Sequence, residues 1–290
     1  MSPPRFKHFA AIDWSGAAGE RHHGIALAIC AEGDAAPALV RPGHRWSRSE
    51  VLAWLLDDLP ADTLVGMDLG ISLAFTDRRA FFPGWAESPA HAKALWALID
   101  AVCEHEPHLS VGAFVDHSEA SAHFRRHGGR EGALFGGGRG RFRITELAQQ
   151  NMGCKPYSNF NLVGAAQVGK SSLSGMRLLH RLEGRLPVWP IDPLPERGPV
   201  ICEIYTTIAA VAAGRTAGRS KIRDGAELDA ALARLGSRGA GFEGAIDDHR
   251  SDALVTSAWL RRVAHDPALW SPQGLTAEIA ATEGWTFGAT

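Results

Sequence analysis

The chain has 290 residues, a formal net charge of −2, 45% hydrophobic and 21% charged residues, which suits one large or two modest globular domains with a substantial core. The near-neutral charge excludes a general basic field for nucleic acid, so any such contact needs a local patch. The four cysteines (Cys30, Cys103, Cys154, Cys202) form no CxxC pair, no apolar run approaches ~18 residues, and Met1-Ser2-Pro3-Pro4-Arg5 is no signal-peptide core; the expectation is reduced thiols in a soluble, cytoplasmic protein with no membrane span.

Residues 7–13 and 23–30 read as two strands joined by a hairpin-like loop, Gly16-Ala17-Ala18-Gly19-Glu20-Arg21. A weaker strand follows at 37–41. Ser47 or Ser49 is placed to cap a helix through Val51, Leu52, Trp54, Leu55, Leu56 and Leu59, whose apolar spacing of three and four is helical. Asp62 leads into a strand over 63–68. From about 75 to 195 the character changes. A helix starts at Pro89 and runs through Val102, and 144–185 reads as mostly helical. Between them lies a Gly/Arg stretch, 125–143, with six arginines against one acid, Glu131. It reads either as a solvated flexible loop or as a phosphate-contacting lid, since arginine matches phosphate geometry. Strand character returns at 199–205, and helices are expected at 207–213, 226–235 and 247–264. The expected division is a core of 1–75 and 196–290 with a mainly helical insertion or cap over 76–195.

The chemistry lies in where the acids fall. Asp13 closes the apolar run Phe9-Ala10-Ala11-Ile12, Asp68 closes Thr63-Leu64-Val65-Gly66-Met67, and Glu203 closes Val200-Ile201-Cys202. His249 and Asp252, three apart at a helix start, share a face. A buried strand that ends on an unpaired carboxylate is costly unless something neutralises it. Four such acids converging would make a divalent-metal site. The plainer alternative for the last segment is an N-capping cluster, with Asp247 or Asp248 as cap and its neighbours solvated. A GxxxxGK[ST] pattern is also spelled by Gly164-Ala165-Ala166-Gln167-Val168-Gly169-Lys170-Ser171. A phosphate-binding loop needs a buried strand before it. Residues 158–163 are short and half polar, and Gly175 is expected to interrupt the following helix. A turn into a helix, with Lys170 pointing toward the site, is the expectation. His22, His23, His91, His117 and His123 lack metal-ligand spacing and read as surface or loop residues, Trp14 reads as packing, and no G-x-S-x-G elbow supports a serine hydrolase.

Taken together, Ile12-Asp13-Trp14-Ser15-Gly16, Val65-Gly66-Met67-Asp68, Cys202-Glu203-Ile204-Tyr205 and His249-Arg250-Ser251-Asp252-Ala253-Leu254 resemble the DUF429 family of predicted ribonuclease H-like nucleases. The segment from Phe160 to Gly169 is similar to that family's central motif, and Glu283-Gly284-Trp285-Thr286-Phe287-Gly288 to its C-terminal one. The resemblance implies an α/β fold, a ribonuclease H-like mixed five-stranded sheet flanked by helices. It implies Mg²⁺ or Mn²⁺ held by the acids of the first strand, the fourth strand and the last helix, here Asp13, Asp68 and Asp252. His249 matches the HxxDA form of some Holliday-junction resolvases. Many relatives carry glutamate on the fourth strand where this chain has aspartate, so Glu203 is expected to supply a longer reach or a further ligand.

The expected activity is therefore two-metal hydrolysis of a phosphodiester. Asp13, Asp68, Glu203 and Asp252 would be catalytic carboxylates and His249 an additional ligand, with ions about 4 Å apart. Arg139, Arg141, Arg143 and Lys170 are candidates to hold substrate phosphates, and the Arg-rich loop is a candidate contact for nucleic acid. Two alternatives stay open. One is an actin-like or sugar-kinase-type Mg-nucleotide phosphotransferase or ATPase, favoured by the Gly/Ser turns after Asp13 and Asp68. The other is a non-catalytic interaction protein in which the acids are solvated or capping.

Overall fold

The computed structural model describes residues 6–163, 168–216 and 221–290. Its strands are β1 (His8–Asp13), β2 (Ala26–Ala31), β3 (Ala38–Leu39), β4 (Thr63–Asp68), β5 (Arg125–Arg126), β6 (Arg130–Glu131), β7 (Val188–Trp189) and β8 (Val200–Glu203). Six of them form one mixed sheet in the order β3-β2-β1-β4-β8-β7, and β5 and β6 form a separate two-stranded ribbon. The β1–β2–β3 meander is antiparallel, while β4, β8 and β7 continue from β1 in parallel. The sheet thus has six strands where five were expected. The additional edge strand, β7, is only two residues long, too short for any periodicity to announce it.

Helix α1 (Arg48–Ala53) starts at Ser47, which makes a capping box with Glu50, and runs on into a π-helical turn over Trp54–Asp58. It is followed by α2 (Ala92–Val102), α3 (Gly112–Val115), α4 (Ile144–Asn151) and α5 (Val168–Arg181), then α6 (Thr206–Ala212), α7 (Gly225–Arg234), α8 (Asp248–Val263), α9 (Pro267–Trp270) and α10 (Ala277–Thr282). Pro89 does not begin α2; His91 does, its ring nitrogen accepting from Ala94 N. Nor does Gly175 interrupt α5. Its missing side chain lets the helix seat on Leu69, whose Cδ2 would lie 2.5 Å from an added Cβ.

Alternation along the strands divides the core in two. Ala10, Ile12, Val65, Met67 and Ile201 face a layer built from α1, α2 and α5. Phe9, Ala11, Leu64 and Cys202 face the other side, where α6, α7 and α8 pack. Residues 76–195, read from the sequence as an insertion or cap, supply α2 and α5 of one helical layer, beside α1, and the edge strand β7. Their aromatic residues Phe81, Phe82, Phe114, Phe124 and Phe160 belong to the same buried cluster as β1 and β4. No helix among the described residues is long and apolar enough to cross a membrane.

Candidate functional site

Parity decides which acids meet. In the parallel β1–β4 pair Asp13 is the register partner of Asp68, so both side chains leave the same face at the carboxyl ends of adjacent strands, about 4.8 Å apart at the backbone. That face is the one α8 covers. Asp247 caps α8 by accepting from Arg250 N, which leaves His249 and Asp252 one turn apart and directed at the strand ends. Asp13 Oδ2 lies 2.7 Å from His249 Nδ1. Carboxyl ends of parallel strands are where open α/β sheets bind ligands.

The electrostatics confirm that the three carboxylates feel one another. Burial raises the Asp13 carboxyl, against the opposing hydrogen bond from His249. Asp68 is raised well above the usual carboxylate range, by burial first and then by repulsion from Asp13 and Asp252. Asp252 is pushed up to about 7 by burial, with Asp13 and Asp248 adding to it. His249 is raised by its bond to Asp13. Acids are crowded here, and His249 Nδ1 bonds one of them, Asp13. Thr206, at the start of α6, gives Asp68 a backbone hydrogen bond and has its hydroxyl 3.4 Å from Oδ2. The sequence reading missed Thr206; its place three residues after Glu203, just past a strand end, was the available signal.

Glu203 does not share the face of Asp13 and Asp68, although its charge adds to the repulsion on Asp68. Its register partner is Met67, not Asp68, so its side chain leaves the opposite face of the sheet. There it accepts from Ile71 N, from Thr286 Oγ1 and from both terminal nitrogens of Arg143. The placements of Arg143 and Arg141 also correct the sequence reading. Arg143 is buried, and its five N–H groups are consumed by Glu146, Glu203 and the Glu283 carbonyl. Arg141, also buried, clamps Asp77 with two bonds and reaches the carbonyls of Ala74, Ala80 and Phe81. Neither has a donor set free for substrate phosphate. Arg139 is exposed, bonded to the Pro156 carbonyl and packed over Phe142. The Gly/Arg stretch looked unbalanced because its acids come from elsewhere: Arg126 pairs with Asp116, Arg141 with Asp77, Arg143 with Glu203.

Lys170 is half-buried in the first turn of α5. Gly164 to Gln167 of the GxxxxGK[ST] pattern lie outside the described residues. Upstream of them, Asn161 bridges the short ribbon strand at Arg125, not the main sheet. The C-terminal segment singled out by resemblance packs beside β8: Thr286 pairs with Glu203, and buried Glu283 accepts from Phe75 N, Thr76 N and Ile144 N.

An oxygen-rich set of three acids beside one imidazole is the donor chemistry that Mg²⁺ and Mn²⁺ prefer. Among the described residues, however, no three His, Cys, Asp or Glu side chains are gathered closely enough to hold an ion as they stand. Asp13 and His249 instead satisfy each other. No protein-family model, curated protein or solved structure matches the chain.

Proposed function

We propose that the protein is a metal-dependent phosphodiesterase of ribonuclease H-like type, akin to the DUF429 nucleases, using Asp13, Asp68 and Asp252 as its working carboxylates. The observation that carries this is the crowding of Asp13 and Asp68, register partners at adjacent strand ends, with Asp252 of α8, which protons or a cation can relieve. The sheet order, an antiparallel meander leading into parallel strands with acids on β1 and β4, supports the same reading.

When bound, Mg²⁺ or Mn²⁺ would supply charge neutralisation at the phosphoryl group and an acidified water. The protein's own contribution is positional. β1 and β4 fix Asp13 and Asp68 side by side, Thr206 orients Asp68, and α8 brings Asp252 across. His249 is the group that must exchange its hold on Asp13 as a cation arrives.

The phosphotransferase alternative needs free backbone amides on the turns after β1 and β4. Gly70 N is given to Ser172 Oγ, Ile71 N to Glu203, and Ala17 N to Ser15 Oγ. Those donors are engaged, which favours hydrolysis of a diester over a nucleotide cradle.

The test is hydrolysis of single-stranded and structured DNA and RNA, and of a small chromogenic phosphodiester, with Mg²⁺ or Mn²⁺. Activity is expected in the wild type and is expected to vanish in Asp13→Asn with the fold retained by circular dichroism. Metal-independent activity, or activity that survives Asp13→Asn, would remove this function.

A further inference from the structure

A cavity of about 240 Å³ is lined by Lys170, in the first turn of α5, while the next residue, Ser171, lines a separate cavity with Asp68, Glu146 and Glu203. The permanent charges around the cavity do not balance. Arg48, Arg126, Arg130 and Lys170 line it, against only Glu106 and Asp116.

Both acids are already committed. The two carboxyl oxygens of Glu106 accept from the backbone amides of Gly112 and Ala113. Asp116 is shared between Arg126, at 2.7 Å, and Arg130, at 3.9 Å. Arg48 is 1% exposed and has no carboxylate partner among the described residues; it is held by the carbonyls of Ser15, Ala17 and His108. The Lys170 side chain makes no ion pair or hydrogen bond among the described residues. Arg126 Nε is buried without an acceptor. Arg48 is a buried cation with no anion beside it, which is costly, and a cavity edged by Arg48 and by the half-buried Lys170 gains when an anion enters.

We propose that this cavity is a phosphate-binding site, in which Lys170, Arg126 and Arg130 contact the anion and Arg48 supplies buried positive charge beneath it. Arginine forks and a flexible ammonium are the side chains suited to phosphate oxygens. The phosphate comes either from a free nucleotide or from the backbone of a nucleic-acid strand. The site stands on the lining of this cavity alone and is independent of what Asp13, Asp68 and Asp252 do.

Calorimetric titration without divalent ions separates the possibilities, using inorganic phosphate, a nucleoside 5′-monophosphate and a single-stranded oligonucleotide as probes. At least one probe is expected to bind the wild type and to bind about tenfold more weakly to Lys170→Ala and to Arg130→Gln, the loss of one charge-assisted contact each. Lys93→Ala, which removes a lysine charge outside this cavity, is expected to keep the wild-type affinity. Tighter binding of the oligonucleotide identifies a backbone phosphate, and tighter binding of the monophosphate a free nucleotide. Arg130 is exposed, so its variant reads the site even where Lys170→Ala folds poorly. No binding of any probe, or equal binding to wild type and both cavity variants, overturns the proposal.

Discussion

Asp13 Oδ2 and His249 Nδ1 are 2.7 Å apart, and this contact ties the end of β1 to the first turn of α8. It engages a buried carboxylate that Asp247 repels and that in turn raises Asp68 and Asp252. His249 and the three acids all have raised values, so protons weigh on the stability of this corner of the fold.

The first prediction concerns pH. Asp13, Asp68 and Asp252 all have folded values raised above those of the unfolded chain. A raised acid favours folding while it is protonated, and that contribution is lost as pH rises through its folded value. For Asp252 the window runs from 3.8 to about 7. His249 is also raised, so its contribution is present below 6.5 and fades as pH climbs past its folded value, in the same direction. With a chelator present, the melting temperature is expected to fall across this window, and Asp252→Asn is expected to flatten the slope. A wild-type melting temperature that rises through the same window would contradict the assignment of these shifts.

A second prediction separates Arg143 from substrate binding. Removing its guanidinium strands Glu146 and Glu203 inside the protein. Arg143→Ala is expected to cost about 3–5 kcal/mol in urea denaturation, the penalty for orphaning a buried ion pair. Arg143→Lys should rescue little, because an ammonium cannot bridge two carboxylates in bidentate fashion. An unchanged denaturation midpoint would mean the arginine is not structural.

The sequence made the acids on β1, β4 and α8 legible because strand ends and helix starts leave local marks: an apolar run that stops on an aspartate, a cap followed by i, i+3 spacing. Glu203 carried the same mark, yet its side chain leaves the other face of the sheet. Whether a strand-end side chain joins its neighbours depends on register, and register between β4 and β8 is a long-range property that no local pattern encodes. The arginines failed for a related reason. Arg141 and Arg143 looked unpaired because their acids, Asp77 and Glu203, lie some 60 residues away in the chain. The sixth strand and the bounds of α2 were hidden by shortness and by an unusual histidine cap.

Gly16 offers a third prediction. A Cβ there would lie 2.3 Å from Ser171 N and 2.6 Å from the Lys170 carbonyl carbon, both backbone atoms that cannot swing aside. Gly16→Ala must push the turn after β1 away from the start of α5, at a cost of about 1–3 kcal/mol for overpacking. Because Asp13 sits three residues earlier, hydrolysis should fall along with stability. A melting temperature equal to wild type would show that the two segments approach less closely than this.

The last prediction joins the proton account to the metal account. Asp68→Asn removes the most strongly perturbed carboxylate while keeping an acceptor for Thr206. Without divalent ions this variant is expected to melt higher than wild type, because repulsion from Asp13 and Asp252 is relieved. Adding Mn²⁺ should reverse the order. An ion that binds only the folded state stabilises it by about 2.7 kcal/mol at a hundred times its dissociation constant, and the wild type alone has the full set of acids to gain from it. The gain should also grow as pH rises toward the value of about 7 held by Asp252, since ion and proton compete for the same oxygens. Calorimetric melts of both proteins, with and without Mn²⁺ at two pH values, read all three effects. An equal Mn²⁺ response in wild type and Asp68→Asn would take Asp68 out of metal binding.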